Sequence, residues 1–392
     1  MSTYITLIIL SGLVICSYMF ELLASKTRLP SVLLLLFLGI GLQQAFTYFH
    51  IQTFNFQSVL PALGTIGLIL IVFEGSLELR YESHKNRLIS RSFLSALIIL
   101  LATTTAIAII IQHFSGYNFY VCFTNAIPLS IISSAIAIPS ASGLDKQKKE
   151  FIVYESSFSD ILGIIAFNFA INNRNITFSS FTRLGAEIVL ILVISVISCL
   201  LLLYLMGRIG HHIKFFLIIS ILILVYALGQ KYHLSALIII LAFGLFLNNA
   251  DKIRIPLFRK VFLYSHLPKD LVQLLQLSAE SAFIIRTFFF VIFGFTMSVS
   301  DLGQIELLMQ GVIILFAVYM IRFIYLKFVA RGDVFPEVFI SPRGLISILL
   351  YYNLPAYLQI EEVGKGLLFV IILLSSIIMS IGLLLTRKRT PV

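Results

Sequence analysis

The sequence predicts an all-α polytopic membrane protein of about 13 transmembrane helices, built as an inverted repeat with two crossed discontinuous helices. Three observations predict it. Apolar runs of spanning length recur from end to end, Lys and Arg gather on alternate sides of those runs, and two pairs of similar segments recur at one interval. Hydrophobic residues make up 59% of the 392 residues and the mean hydropathy is +1.03. A soluble domain of this length cannot hide that much apolar surface. Runs of about 18 or more apolar residues are each long enough to cross a ~30 Å hydrocarbon core as a helix. A β-barrel would show short alternating segments instead.

In chain order the expected spans lie near 4–23, 29–47, 58–79, 91–113, 118–143, 150–171, 183–206, 213–229, 234–249, 270–299, 303–329, 333–354 and 363–386. The first could pass for a signal peptide, but no basic residue precedes it; Lys26 and Arg28 follow it instead. It is therefore a transmembrane helix with its N-terminus outside. With that orientation the cytoplasmic segments hold 21 Lys and Arg and the outer segments hold 4. This asymmetry supports both the span count and the direction, with the C-terminus inside. The formal net charge of +10 thus has a topological meaning and does not point to nucleic acid. Cys16, Cys122 and Cys199 all fall in apolar runs without metal-ligand spacing and pack as small hydrophobes.

Span 2 begins "LPSVLLLLFLGIGLQQ" and span 9 begins "LSALIIILAFGLFLNN", which align Leu29 with Leu234, Gly39 with Gly244 and Leu42 with Leu247. Span 5 holds "AIPLSIIS" and span 12 "ISPRGLIS", which align Pro128 with Pro342 and Ser133 with Ser347. Both pairs are seven spans apart, an odd interval, so the copies have opposite orientation. The expected organisation is one transmembrane domain over residues 1–392, with repeat one over about 1–171, a linker helix over about 183–206 and repeat two over about 213–386. Pro and Gly interruptions at matching places break helices near the midplane, where unpaired backbone groups can meet a substrate. In span 5 the interruption lies between Pro128 and Pro139, with Ser133 and Ser134 inside it; in span 12 it surrounds Arg343.

Span 6 carries "YESSFSDILGII", two acids in an apolar run. Asp160 falls at its midpoint, where a charged Asp costs ~2.5–3.5 kcal/mol on insertion scales. A carboxyl that always holds either H⁺ or a cation avoids that cost, and such a group is a carrier. Glu155 lies five residues earlier, about 7.5 Å along the axis and about 140° around it. The two acids therefore have different partners. Arg343 keeps its charge at any depth and needs a counter-charge, so Glu155–Arg343 is expected to be a structural ion pair. Arg322 is expected to snorkel at a cytoplasmic helix end. Arg286 is a further candidate core charge, with Glu280, Glu74 and Glu78 as open choices of partner. Glu337 is expected to be solvated or interfacial. The ion-holding candidates are Asp160, Ser159, Ser133 and Ser134.

These residues carry a resemblance. "RLPSVLLLLFLGIGL" (28–42), "GLILIVFEGSLEL" (67–79), "YESSFSDILG" (154–163), "RTFFFVIFGF" (286–295) and "SPRGLIS" (341–347) are similar to segments of the cation–proton antiporter superfamily, the sodium/proton exchanger family. Glu155, Ser156 and Asp160 fall on the family's "GES..ND" segment and Arg343 on its "RG" helix. The resemblance implies the sodium/proton antiporter fold, with a core and a dimerisation domain, in a homodimer of the bacterial cytoplasmic membrane. It implies exchange of Na⁺, Li⁺ or K⁺ for H⁺ on the Asp, with no cofactor and no metal beyond the transported cation. It also implies the electroneutral branch. Electrogenic relatives place a second carboxylate and a titratable lysine where Ser159 and Arg286 stand. The glutathione-gated potassium-efflux branch is disfavoured, since no nucleotide-gating domain follows the last span. A sodium-coupled symporter of related fold is the alternative and needs a larger polar cavity. An enzyme would need a His/Asp metal cluster or a nucleophile motif within the spans.

Overall fold

A computed structural model of the chain describes residues 3–27, 30–49, 59–78, 83–174, 178–208, 214–231, 236–264, 266–297, 305–330 and 334–386. Among them are α1 (Thr3–Thr27), α2 (Ser31–Tyr48), α3 (Val59–Glu78), α4 (Asn86–Ser115), α5 (Phe119–Ser130), α6 (Ser134–Ser140), α7 (Lys146–Asn172) and α8 (Phe178–Arg208). There follow α9 (Lys214–Lys231), α10 (Ala236–Asn249), α11 (Pro256–Phe262), α12 (Leu267–Phe295), α13 (Ile305–Ile324), α14 (Leu345–Tyr352) and α15 (Lys365–Thr386). The described residues contain no strand. In lipid only a helix satisfies every backbone polar group within its own segment. Seven helical segments among the described residues are long and apolar enough to span a membrane. The 27-residue α7 is long enough but too polar to count among them; its inner acids, Glu155 and Asp160, are buried and hydrogen-bonded, as shown below.

Of the basic residues behind the expected orientation, Arg28, Arg80, Arg331, Arg387, Lys388 and Arg389 lie outside the described residues. Expected span 5 is two helices, α5 and α6, with extended chain between them. Expected span 12 has an α-helix only in its second part, α14. Its first part is one 3₁₀ turn at Glu337–Phe339 followed by non-helical chain to Gly344. Pro336 and Pro342 supply no N–H, so that part cannot complete a helical ladder. The short helix α11 was not expected from the sequence.

The residues divide into two compact units that interleave along the chain. One comprises Met1–Gly64, Arg87–Gly163 and Ile284–Val392; the other comprises Thr65–Asn86 and Ile164–Phe283. In the first, α2 and α12 cross at backbone contact. A Cβ added to Gly39 would meet the Val291 carbonyl, and one added to Gly294 would meet the Leu36 carbonyl. Small residues permit such close crossings where lipid gives no hydrophobic drive to pack. In the second unit α10 is the central element. The Ser195 hydroxyl of α8 donates to Ile239 O of α10 at 3.0 Å, and Asn248 Nδ2 donates to Leu77 O of α3 at 2.6 Å. Gly244 lies against Ser76 of α3, with no room for a Cβ. Both members of the Gly39/Gly244 pair thus sit at tight crossings.

Candidate functional site

The site grows from the gap between α5 and α6. Ile131 and Ser133 are extended, with φ/ψ of −73°/131° and −74°/112°. Pro128 lies inside α5, so the break falls three residues after it. A break inside a membrane protein leaves backbone donors that must be paired. Three consecutive N–H groups find three different partners. Ile132 N–H donates to Ser159 Oγ at 2.9 Å, Ser133 N–H to Pro342 O at 2.9 Å, and Ser134 N–H to Asp160 Oδ2 at 3.2 Å. Two of the partners stand side by side on α7, and the third belongs to the other break. The two interruptions therefore touch, as the expected crossing requires. Gly344 makes this possible, since a Cβ there would lie 2.5 Å from Ser133 Oγ.

Asp160 is 7% exposed, and the hydroxyls of Ser133 and Ser157 are buried without a hydrogen-bond partner. Asp160, Ser159, Ser133 and Ser134, named as candidates from the sequence, thus converge on one break. Ser159 also has a defined structural task, holding Ile132. Arg286 of α12 reaches the same region, donating from Nη1 to Ala135 O at 3.0 Å, one residue beyond Ser134. Of the acids open as its partners in the sequence, the Glu78 side chain lies outside the described residues.

The expected Glu155–Arg343 pair is corrected. Glu155, 1% exposed, pairs with Arg322: Nη2 donates to Oε2 at 2.7 Å and Nη1 to Oε1 at 3.2 Å. Ser95 of α4 donates to Oε1 at 2.6 Å, and Arg322 Nε donates to Glu337 O at 2.9 Å. This is a two-pronged guanidinium–carboxylate contact, the strong geometry for such pairs. Arg322 does not snorkel, because chain 334–341 covers the end of α13 and buries the side chain completely. Glu337 is likewise buried rather than solvated, at 6% exposure, with Lys148 Nζ 3.7 Å from its carboxylate.

Arg343 needs no carboxylate. Its Nε donates to Leu129 O at 2.8 Å and Nη2 to Ser130 O at 3.2 Å, the last carbonyls of α5. Its Nη1 donates to Ser341 O at 2.8 Å and Ser341 Oγ at 2.6 Å. A helix C-terminus presents unpaired carbonyls with partial negative charge, so the broken helix itself is the counter-charge. The Arg343 N–H donates to Ser375 Oγ of α15 at 3.0 Å, which fixes the second break as well. Sequence reasoning missed Arg322 and Ser95. A signal was present: Ser92, Ser95, Thr103 and Thr104 form a run of buried polar residues in apolar α4, and Thr104 meets Ser130 Oγ at 2.6 Å.

A buried carboxyl that holds the backbone of a broken helix, among described residues that form no strand and include helices long and apolar enough to span a membrane, is the arrangement of a secondary transporter of the crossed-helix class. Residues 9–387 match the family model for the transmembrane domain of sodium/hydrogen exchangers, and the chain belongs to that family. Two solved structures share its fold. Both are of the sodium proton antiporter MjNhaP1 from Methanocaldococcus jannaschii. The one at pH 8 is 19% identical with a TM-score of 0.72, covering 97% of this chain and 100% of that one. The one from an electron-microscopy map is 19% identical with a TM-score of 0.70, covering all of both chains. No curated protein matches the chain. The expected family, fold class and antiport activity are the ones found.

Proposed function

We propose that the protein exchanges one monovalent cation (Na⁺, Li⁺ or K⁺) for one H⁺ by alternating access at Asp160. The observation that carries this reading is the Asp160 carboxyl itself, buried on the Ser134 amide and next to a break whose Ser133 hydroxyl has no hydrogen-bond partner. A carboxyl held this way can exchange a proton for a cation. The serine hydroxyl and backbone oxygens of the break suit a partly dehydrated monovalent ion. Glu155 with Arg322, and Arg343 with the α5 carbonyls, keep their charges paired through the cycle. The site then has the same net charge in both loaded forms, which makes the exchange electroneutral. No enzymatic step and no resident cofactor enter this scheme. The same proposal places the protein as a homodimer in a bacterial cytoplasmic membrane, N-terminus outside and C-terminus inside, with the inverted repeats supplying one broken helix each.

The test is cation-driven proton flux in proteoliposomes carrying an internal pH dye, with Na⁺, Li⁺ and K⁺ compared. Wild type should respond to at least one cation. Asp160→Asn should fold, since the amide oxygen can still accept from Ser134, and should show no cation-dependent flux. Flux within a few-fold of wild type in Asp160→Asn would remove Asp160 from the mechanism.

A further inference from the structure

The chain between α10 and α12 has a composition that neither transport nor packing uses. Residues 250–270 hold five basic and two acidic side chains. Lys252, Arg254, Arg259, Lys260 and Lys269 are all exposed. One of the acids, Asp270, accepts the Tyr264 hydroxyl at 2.7 Å, which ties the segment to the first turn of α12. Beside the cations stand two apolar side chains that this unit leaves uncovered, Ile255 at 61% exposure and Val261 at 47%.

The segment is nonetheless anchored. Phe258 of α11 is 8% exposed, with its ring edge-on to Phe246 of α10 at 6.3 Å and 5.4 Å from Phe262. Phe258 therefore holds α11 down, while Arg259, Lys260 and Val261 remain outside. The segment joins two apolar helices, α10 and α12, so a bilayer crossed by them would have its headgroups near this segment. A short anchored element presenting both cations and aliphatic side chains at that depth suits the membrane interface. Clustered Lys and Arg beside a span favour anionic lipid, and guanidinium groups give phosphate two-pronged hydrogen bonds.

We propose that the exposed side chains of α11 and its flanks, from Arg254 to Val261 together with Lys269, form a binding site for anionic phospholipid. Arg254, Arg259, Lys260 and Lys269 take the phosphate, and Ile255 and Val261 enter the acyl boundary. The occupant is a lipid of the surrounding bilayer rather than a soluble anion, because only a lipid satisfies both the cations and the aliphatic pair.

The experiment uses the purified full-length protein in detergent. Its thermal unfolding is followed during titration with phosphatidylglycerol, with phosphatidylcholine, and with glycerol 3-phosphate as the headgroup without its chains. Phosphatidylglycerol should raise the melting temperature, and the other two should not. The R254Q/R259Q/K260Q/K269Q variant should need about tenfold more phosphatidylglycerol, or more, for the same rise. The I255S/V261S variant keeps every charge and should also lose part of the response. K146Q/K149Q, at two exposed lysines elsewhere in the chain, should respond as wild type. If the fourfold variant folds poorly, wild type in raised salt provides the same test, since screening should suppress the rise. An unchanged phosphatidylglycerol response in the charge variant or in high salt would overturn the proposal. So would an equal effect of phosphatidylcholine, or of glycerol 3-phosphate, which would mean a soluble-anion site only.

Discussion

Replacing Glu155 with Ala should cost about 3–5 kcal/mol, because it leaves the Arg322 guanidinium buried without its carboxylate. The magnitude follows from the surroundings. The two side chains are 1% and 0% exposed, so water cannot replace the lost partner. Two of the three hydrogen bonds that Arg322 makes end on Glu155, and only the Glu337 carbonyl remains. Arg322→Met should cost a similar amount, leaving Glu155 with the Ser95 hydroxyl alone. Glu155→Ala with Arg322→Met removes both charges together, so neither is left buried without its partner. The double variant should therefore melt well above the temperature expected from summing the two single losses. The assay is a double-mutant cycle on thermal unfolding of the detergent-purified protein. A parallel cycle of Glu155 with Arg343→Met should be additive within about 0.5 kcal/mol, since the two share no hydrogen bond. Additivity for Arg322 combined with strong coupling for Arg343 would refute the assignment and restore the pairing expected from the sequence.

Gly344→Ala should destabilise the protein by about 1–3 kcal/mol through overpacking, because the new methyl lies 2.5 Å from Ser133 Oγ and 2.9 Å from Ile136 Cδ1. Adding Ser133→Ala removes the nearer contact and should restore part of the melting temperature; no recovery would mean that the breaks do not cross as described. Electroneutral exchange predicts that a membrane potential imposed with valinomycin and K⁺ leaves Na⁺- or Li⁺-driven flux nearly unchanged. Each uncompensated charge would instead couple transport to voltage by ~2.3 kcal/mol per 100 mV. Flux that scales with the potential, or a net current on a solid-supported membrane, would refute the single-carboxylate count.

Much of this architecture follows from local physics and was legible in the sequence. Continuous apolar runs have one solution in lipid, so the helices and the absence of strands among the described residues could be read directly. A carboxyl at the middle of an apolar run must be satisfied or functional, and that singled out Asp160. The 140° between Glu155 and Asp160 separated their partners, and the structure keeps them apart, Asp160 on the Ser134 amide and Glu155 on Arg322. The identity of the arginine was decided only by tertiary structure. Depth along a helix says how costly a charge is, but not which neighbour faces it. Arg322 lies close to a helix end, but the cover over that end comes from chain 334–341, whose path no periodicity encodes. A sequence shows side chains and not free carbonyls, so it offers Arg343 a carboxylate as partner. Its actual partners are the carbonyls of Leu129 and Ser130, which exist as acceptors only because α5 stops there and the second break passes beside it.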